Sequence, residues 1–140
     1  QIDKFMDNGY TKEEMKMVWE TKKILDNSIE VNPTTVRVPV FYGHSEAVHL
    51  ELAEKITATT VKHILMDNSN DVVLIDEHKD GGYPCAANEC EDSNDVFVGR
   101  VREDISIPNG INLWVVSNNI RKGAAYNSVQ IAELLIKDYL

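Results

Sequence analysis

The sequence is poor in several things, and each shortage excludes a class of protein. Basic residues are scarce: 14 Lys and Arg against 23 Asp and Glu give a formal charge of −9. General nucleic-acid binders and anionic-membrane binders need a basic surface to meet phosphates, so neither is expected. No apolar run reaches the roughly 18–20 residues that a bilayer-spanning helix needs. The first residues, Gln1-Ile2-Asp3-Lys4, have neither the basic start nor the apolar core of a signal peptide. There are only two cysteines, Cys85 and Cys90, too few for a disulfide scaffold. They lie five apart with no paired histidine nearby, which is not zinc spacing. A glycine-rich phosphate loop of either common type is missing as well. The two thiols read as structural or incidental, and a reducing, cytoplasmic setting is expected.

What is present fits one domain of 140 residues, 43% apolar and 26% charged, enough to bury a core. Thr11-Lys12-Glu13-Glu14 reads as a capping box opening a helix to about Leu25, with Met15, Val18, Trp19 and Leu25 on one side. Thr34 to Phe41 alternates like a strand, although Pro39 confines it to an edge, a bulge or a strand end. Further strands are expected at Ala47–Ala53, Val72–Ile75, Val96–Val101 and Ile111–Val116, and a short helix at Thr59–Met66. Asn109-Gly110 signals a hairpin through positive φ. Residues 77–94 read as a long surface loop, unusual unless it packs or serves a function. From about Asn119 to Tyr139 a terminal helix has apolar residues around most of its girth, so it wants cover on several sides. The fold class is therefore α+β: a mixed, mainly antiparallel sheet of about five strands covered by helices.

Few residues offer chemistry. His63, His78 and His49 read most simply as surface residues. His44 differs, since Gly43 exposes it at a break between strands, where catalytic bases are often held. Arg37 lies among valines and needs a partner for its charge, the plain choice being a salt bridge. Glu20 and Lys23 are neighbours on a helix face, an ordinary surface ion pair by themselves.

Together these stretches form a recognisable set. Glu20-Thr21-Lys22-Lys23-Ile24-Leu25, Val36-Arg37-Val38-Pro39-Val40, Gly43-His44-Ser45-Glu46 and Val96-Phe97-Val98-Gly99-Arg100-Val101-Arg102 resemble the aspartate-β-semialdehyde dehydrogenase family in order and spacing. So do Asn112-Leu113-Trp114-Val115-Val116-Ser117-Asn118-Asn119 and Arg121-Lys122-Gly123-Ala124-Ala125. The likeness covers essentially the whole chain and concerns the family's C-terminal part. It implies the C-terminal domain fold of glyceraldehyde-3-phosphate-dehydrogenase-like enzymes, used for substrate binding and for a homodimer. An N-terminal Rossmann domain would carry the nucleophilic cysteine and the NADP site, and Cys85 and Cys90 do not match that cysteine motif. Gln1-Ile2-Asp3 looks like the middle of a family motif. The chain is thus expected to be a fragment, residues 1–140 forming one domain with 119–139 packing on the missing one. Alone it should be inactive and bind no cofactor tightly.

The resemblance implies that the whole enzyme reduces aspartyl phosphate to aspartate semialdehyde with NADPH, toward lysine, methionine and threonine. A cysteine thiolate forms a thioester in that reaction. His44 matches the acid/base histidine, Arg37 the arginine that clamps the substrate carboxylate, and Glu20 the partner of the substrate amino group. Lys23 matches the phosphate-holding lysine, and Asn119 falls where the family has a polar residue near the nicotinamide. Two rivals remain: a non-catalytic dimerisation module, and a related reductase acting on N-acetylglutamyl phosphate. A geometric condition follows for the first reading. Seven residues of straight strand would span roughly 23 Å, too far for Arg37 and His44 to touch one four-carbon substrate. The chain is therefore expected to bend between Pro39 and Gly43.

Overall fold

A computed structural model describes residues 1–68 and 71–139, the side chain of residue 68 excepted. The chain falls into two compact units, Gln1–Pro39 and Val40–Leu140.

In the first unit, helix α1 (Lys12–Ile24) opens on the expected capping box. The Glu14 amide donates to Thr11 Oγ1 at 3.2 Å, and the Thr11 amide donates back to Glu14 Oε2 at 2.8 Å. The second carboxylate oxygen accepts from the Thr35 amide at 2.8 Å, so Glu14 also ties the incoming segment to the helix start. These backbone donors at Thr11 and then Thr35 hold its carboxyl below the ordinary value. The inward side is narrower than expected: Met15 and Val18 are half-buried, while Trp19 and Leu25 are exposed. Residues 34–41, expected as a strand, form no ladder. Their alternation is real, but Val36 and Val38 are exposed and Pro39 donates no hydrogen bond. The chain instead bends at Pro39, Phe41 and Tyr42 before the next strand begins.

The second unit is built on one sheet of four strands: β1 (His44–Glu51), β2 (Val72–Leu74), β3 (Val96–Glu103) and β4 (Gly110–Ser117). Their order is β1-β4-β3-β2. β4 runs antiparallel to β1 and β3, but β2 runs parallel to β3. The expected five strands become four because 34–41 is not one of them. The sheet is mixed, as expected, and its parallel pair arises because a crossover returns β2 and β3 in the same direction. Helix α2 (Ala58–Asn68) packs on β2 and β3.

The loop at 77–94 is not a surface loop throughout. It holds one helical turn, α3 (Ala86–Glu89), which packs on β4. Ala86 and Cys90 join Phe97 and Val116 in the core, with Ile75 and Trp114 packed against them. The Trp114 Nε1–H donates to the Pro84 carbonyl at 2.8 Å, fixing the loop to the sheet.

The hairpin between β3 and β4 exists, but not through positive φ at Asn109-Gly110. Its connection runs from 104 to 109, and Asp104 Oδ1 gathers the Ser106 and Ile107 amides. Gly110 is needed for closeness: an added Cβ would lie 2.4 Å from that of Asp104.

The terminal helix begins with a π-helical turn at Arg121–Ala125 and continues as α4 (Tyr126–Tyr139). No residue of α4 is buried. Ile131, Leu134, Leu135 and Ile136 all stand exposed, so the cover expected for this helix is not supplied within the described residues.

Candidate functional site

His44 is the first residue of β1, and its position follows from Gly43. That glycine has φ +76°, a conformation costly for residues with a Cβ. A Cβ there would also lie 2.3 Å from Cys90 Sγ and 2.7 Å from the Ser117 carbonyl oxygen. The chain thus turns into β1 pressed against two buried residues. Across the ladder His44 pairs with Ser117, the last residue of β4. Its Nε2 lies 3.2 Å from Ser117 Oγ and 3.4 Å from Glu46 Oε1. The His44 side chain is 49% exposed, so it is held on one side and open on the other.

Next in sequence after Ser117 is Asn118, only 3% exposed. Its Nδ2 donates to the Cys90 carbonyl at 2.6 Å, and its Oδ1 accepts from the Ile120 and Arg121 amides at 3.0 and 3.1 Å. One side chain therefore joins the loop at 84–90 to the start of the terminal helix. Cys90 is fully buried and reduced, and burial pushes its thiol pKa up. A neutral, inaccessible thiol is not a nucleophile. Asn119, next in line, is exposed at the same end of the sheet as His44.

The other three candidates belong to the first unit. Glu20 and Lys23 are exposed on α1, and Glu20 borders a shallow groove with Met17, Thr21, Ile24 and Leu25. The ordinary ion pair between them is not formed among the described residues. Lys22, by contrast, is occupied by Glu30 at 2.9 Å, which distinguishes two adjacent lysines. Arg37 is exposed and has no salt bridge among the described residues, so the plain expectation of a carboxylate partner is not met. The candidates are thus assembled within two units: His44 and Asn119 in one, Glu20, Lys23 and Arg37 in the other.

Sequence reasoning passed over Ser117, Asn118 and the contact of Cys90 with Gly43. The signal was available in Ser117-Asn118-Asn119, where residues of high capping propensity follow a strand and precede a helix. Cys90 was hidden by the polar residues around it.

His49, expected as a plain surface residue, has both ring nitrogens engaged, with Asn112 Oδ1 at 2.8 Å and Asp104 Oδ2 at 3.0 Å. Among the described residues no group of His, Cys, Asp and Glu could hold a metal ion. No helix among them is long and apolar enough to cross a membrane. Asn119 offers one amide, while the nearby cations are already paired, Arg121 with Asp92 and Lys122 with Asp71.

A mixed four-stranded sheet with helices, opening on a glycine-turned histidine, defines an α+β domain. The family profile described as semialdehyde dehydrogenase, dimerisation domain, matches residues 1–122, and the chain belongs to that family. Its relatives are aspartate-semialdehyde dehydrogenases. It is 62% identical over 140 residues to the one from Shewanella violacea and 48% identical to that from Aquifex aeolicus. In each case 99% of this chain is covered, against 40% and 41% of the relative. Among solved structures it is similar to aspartate semialdehyde dehydrogenase II from Vibrio cholerae complexed with ASA. That match has a TM-score of 0.92 and 57% identity, covering all of this chain and 41% of the other. The chain therefore spans about two fifths of the proteins it matches.

Proposed function

We propose that this chain is the substrate-binding and dimerisation part of an NADP-dependent aspartate-semialdehyde dehydrogenase, working in the biosynthesis of lysine, methionine and threonine. The observation that carries the reading is His44, delivered by Gly43 to a strand end where its imidazole is anchored on one face and open on the other. A second domain supplies the nucleophilic thiol and the NADP site, since the buried Cys90 is unsuited to attack and the cations beside Asn119 are already paired.

Aspartyl phosphate carries a carboxylate, an ammonium and a phosphate. Arg37 presents a planar fork of donors to the carboxylate, a geometry a lysine does not reproduce. Glu20 pairs with the ammonium, and Lys23, left open while Lys22 is occupied, takes the phosphate. His44 accepts the proton of the incoming thiol and returns protons as the tetrahedral species collapses. Asn119 lies at the rim toward the nicotinamide. A homodimer is the working form, and the exposed apolar residues of α4 are covered by the remainder of the enzyme.

Substitution in the complete enzyme tests this. His44→Ala lowers kcat by about 10²–10⁴-fold, the usual worth of a general acid–base group. Arg37→Lys lowers kcat/KM at least about tenfold, because a bidentate clamp becomes a point charge. Wild-type turnover of aspartate semialdehyde by both variants would overturn the proposal. Turnover of only the N-acetylglutamyl substrate would favour the related reductase instead.

A further inference from the structure

We infer that Ser117, seated by Asn118, is a positioning residue that aims the imidazole of His44; this rests on the acid/base reading of His44 given above. Three observations carry it. Ser117 is only 7% exposed, yet its hydroxyl oxygen stands 3.2 Å from His44 Nε2, directly across the β1–β4 ladder. A hydroxyl can donate or accept, so it stays in contact with that nitrogen in either protonation state of the ring. Glu46 also reaches Nε2, at 3.4 Å, but its side chain is 43% exposed. A half-exposed carboxylate on a longer side chain fixes direction less well than a buried hydroxyl one bond from its Cβ.

The seat of Ser117 is itself fixed. Its carbonyl oxygen lies under Gly43, where a Cβ would come within 2.7 Å. The following residue, Asn118, is locked by the Cys90 carbonyl on one side and by the Ile120 and Arg121 amides on the other. The strand end, the buried loop and the helix start are therefore tied to one another beside the imidazole. Such a shell is what keeps a proton-transfer group within the narrow range of productive geometry.

The test uses the complete enzyme with aspartate semialdehyde and phosphate as substrates. Ser117→Ala removes one oxygen and leaves the backbone pairing intact. It is expected to lower kcat about tenfold with KM unchanged, as a small misalignment does. Carbon-13 relaxation of the His44 ring should show larger ring motion in the same variant. Unchanged kcat overturns the inference, and so does a fall in kcat with ring motion as in the unmodified protein. His44→Ala, measured beside it, separates the two readings. Full activity there overturns the acid/base role, while the ring relaxation still judges whether Ser117 holds the imidazole.

Discussion

Gly43 leaves almost no substitution open, because its positive φ and the crowding above its Cα act together. Gly43→Ala is expected to cost at least about 1–2 kcal/mol from the left-handed backbone alone. Displacement of Cys90 or Ser117 adds to that, and a thermal melt would register the sum. Asn118→Ala removes the acceptor of the Ile120 and Arg121 amides, worth about 1 kcal/mol, and leaves the Cys90 carbonyl without its donor, about 1–3 kcal/mol more. Chemical denaturation should therefore show a loss of roughly 2–4 kcal/mol, large for one polar residue. At this scale the sequence was readable where a residue type has one main use. A glycine before a histidine announced an exposed turn. It was unreadable where a side chain works through distant partners: Cys90 sits among Asn88, Glu89, Glu91 and Asp92, and nothing local says that it alone turns inward.

Among the elements, α1 was legible because a capping box is a local signal with a local cause. The same Glu14 that closes the box makes the helix start sensitive to acid. Its carboxyl is held below the ordinary value, as is that of Asp104 in the hairpin, first by the Ser106 hydroxyl and then by the Ser106 amide. Groups lowered in the folded state contribute stability above their unfolded values, about 4, and lose it as pH falls through the folded ones. Stability measured across pH 5 to pH 2 should thus decline, and Glu14→Gln with Asp104→Asn should flatten that decline. A flat profile in the unmodified protein would contradict the assignment. The segment at 34–41 misled for the opposite reason. Alternation of valines describes a surface that could pair, not one that does, and pairing is decided by a neighbour that sequence does not name. The terminal helix was legible as an element with too much apolar girth, and every described residue from 131 to 139 is exposed. In the isolated chain its amides should exchange orders of magnitude faster than those of β3 and β4. Equal protection by hydrogen exchange would mean that something covers it.

At the scale of the molecule, the α+β class was recoverable from the alternation of helical and extended periods, whereas the count and direction of strands were not. Strand direction depends on how residues 75–95 cross between β2 and β3, and the polar composition of that stretch conceals its buried turn. The candidate residues were legible only as a set. His44, Arg37, Glu20 and Lys23 are each ordinary alone, and the roles proposed for them rest on the resemblance of the motifs that contain them. The chain reaches across two fifths of its relatives' length.

The two thiols form an unplanned pair of clocks. Cys85 is exposed and Cys90 is sealed, five positions apart on either side of α3. A thiol-reactive dye should label the first at once and the second only when the loop lifts away from the sheet. The interval between the two events would measure, without any engineered probe, how often the packing against Gly43 gives way.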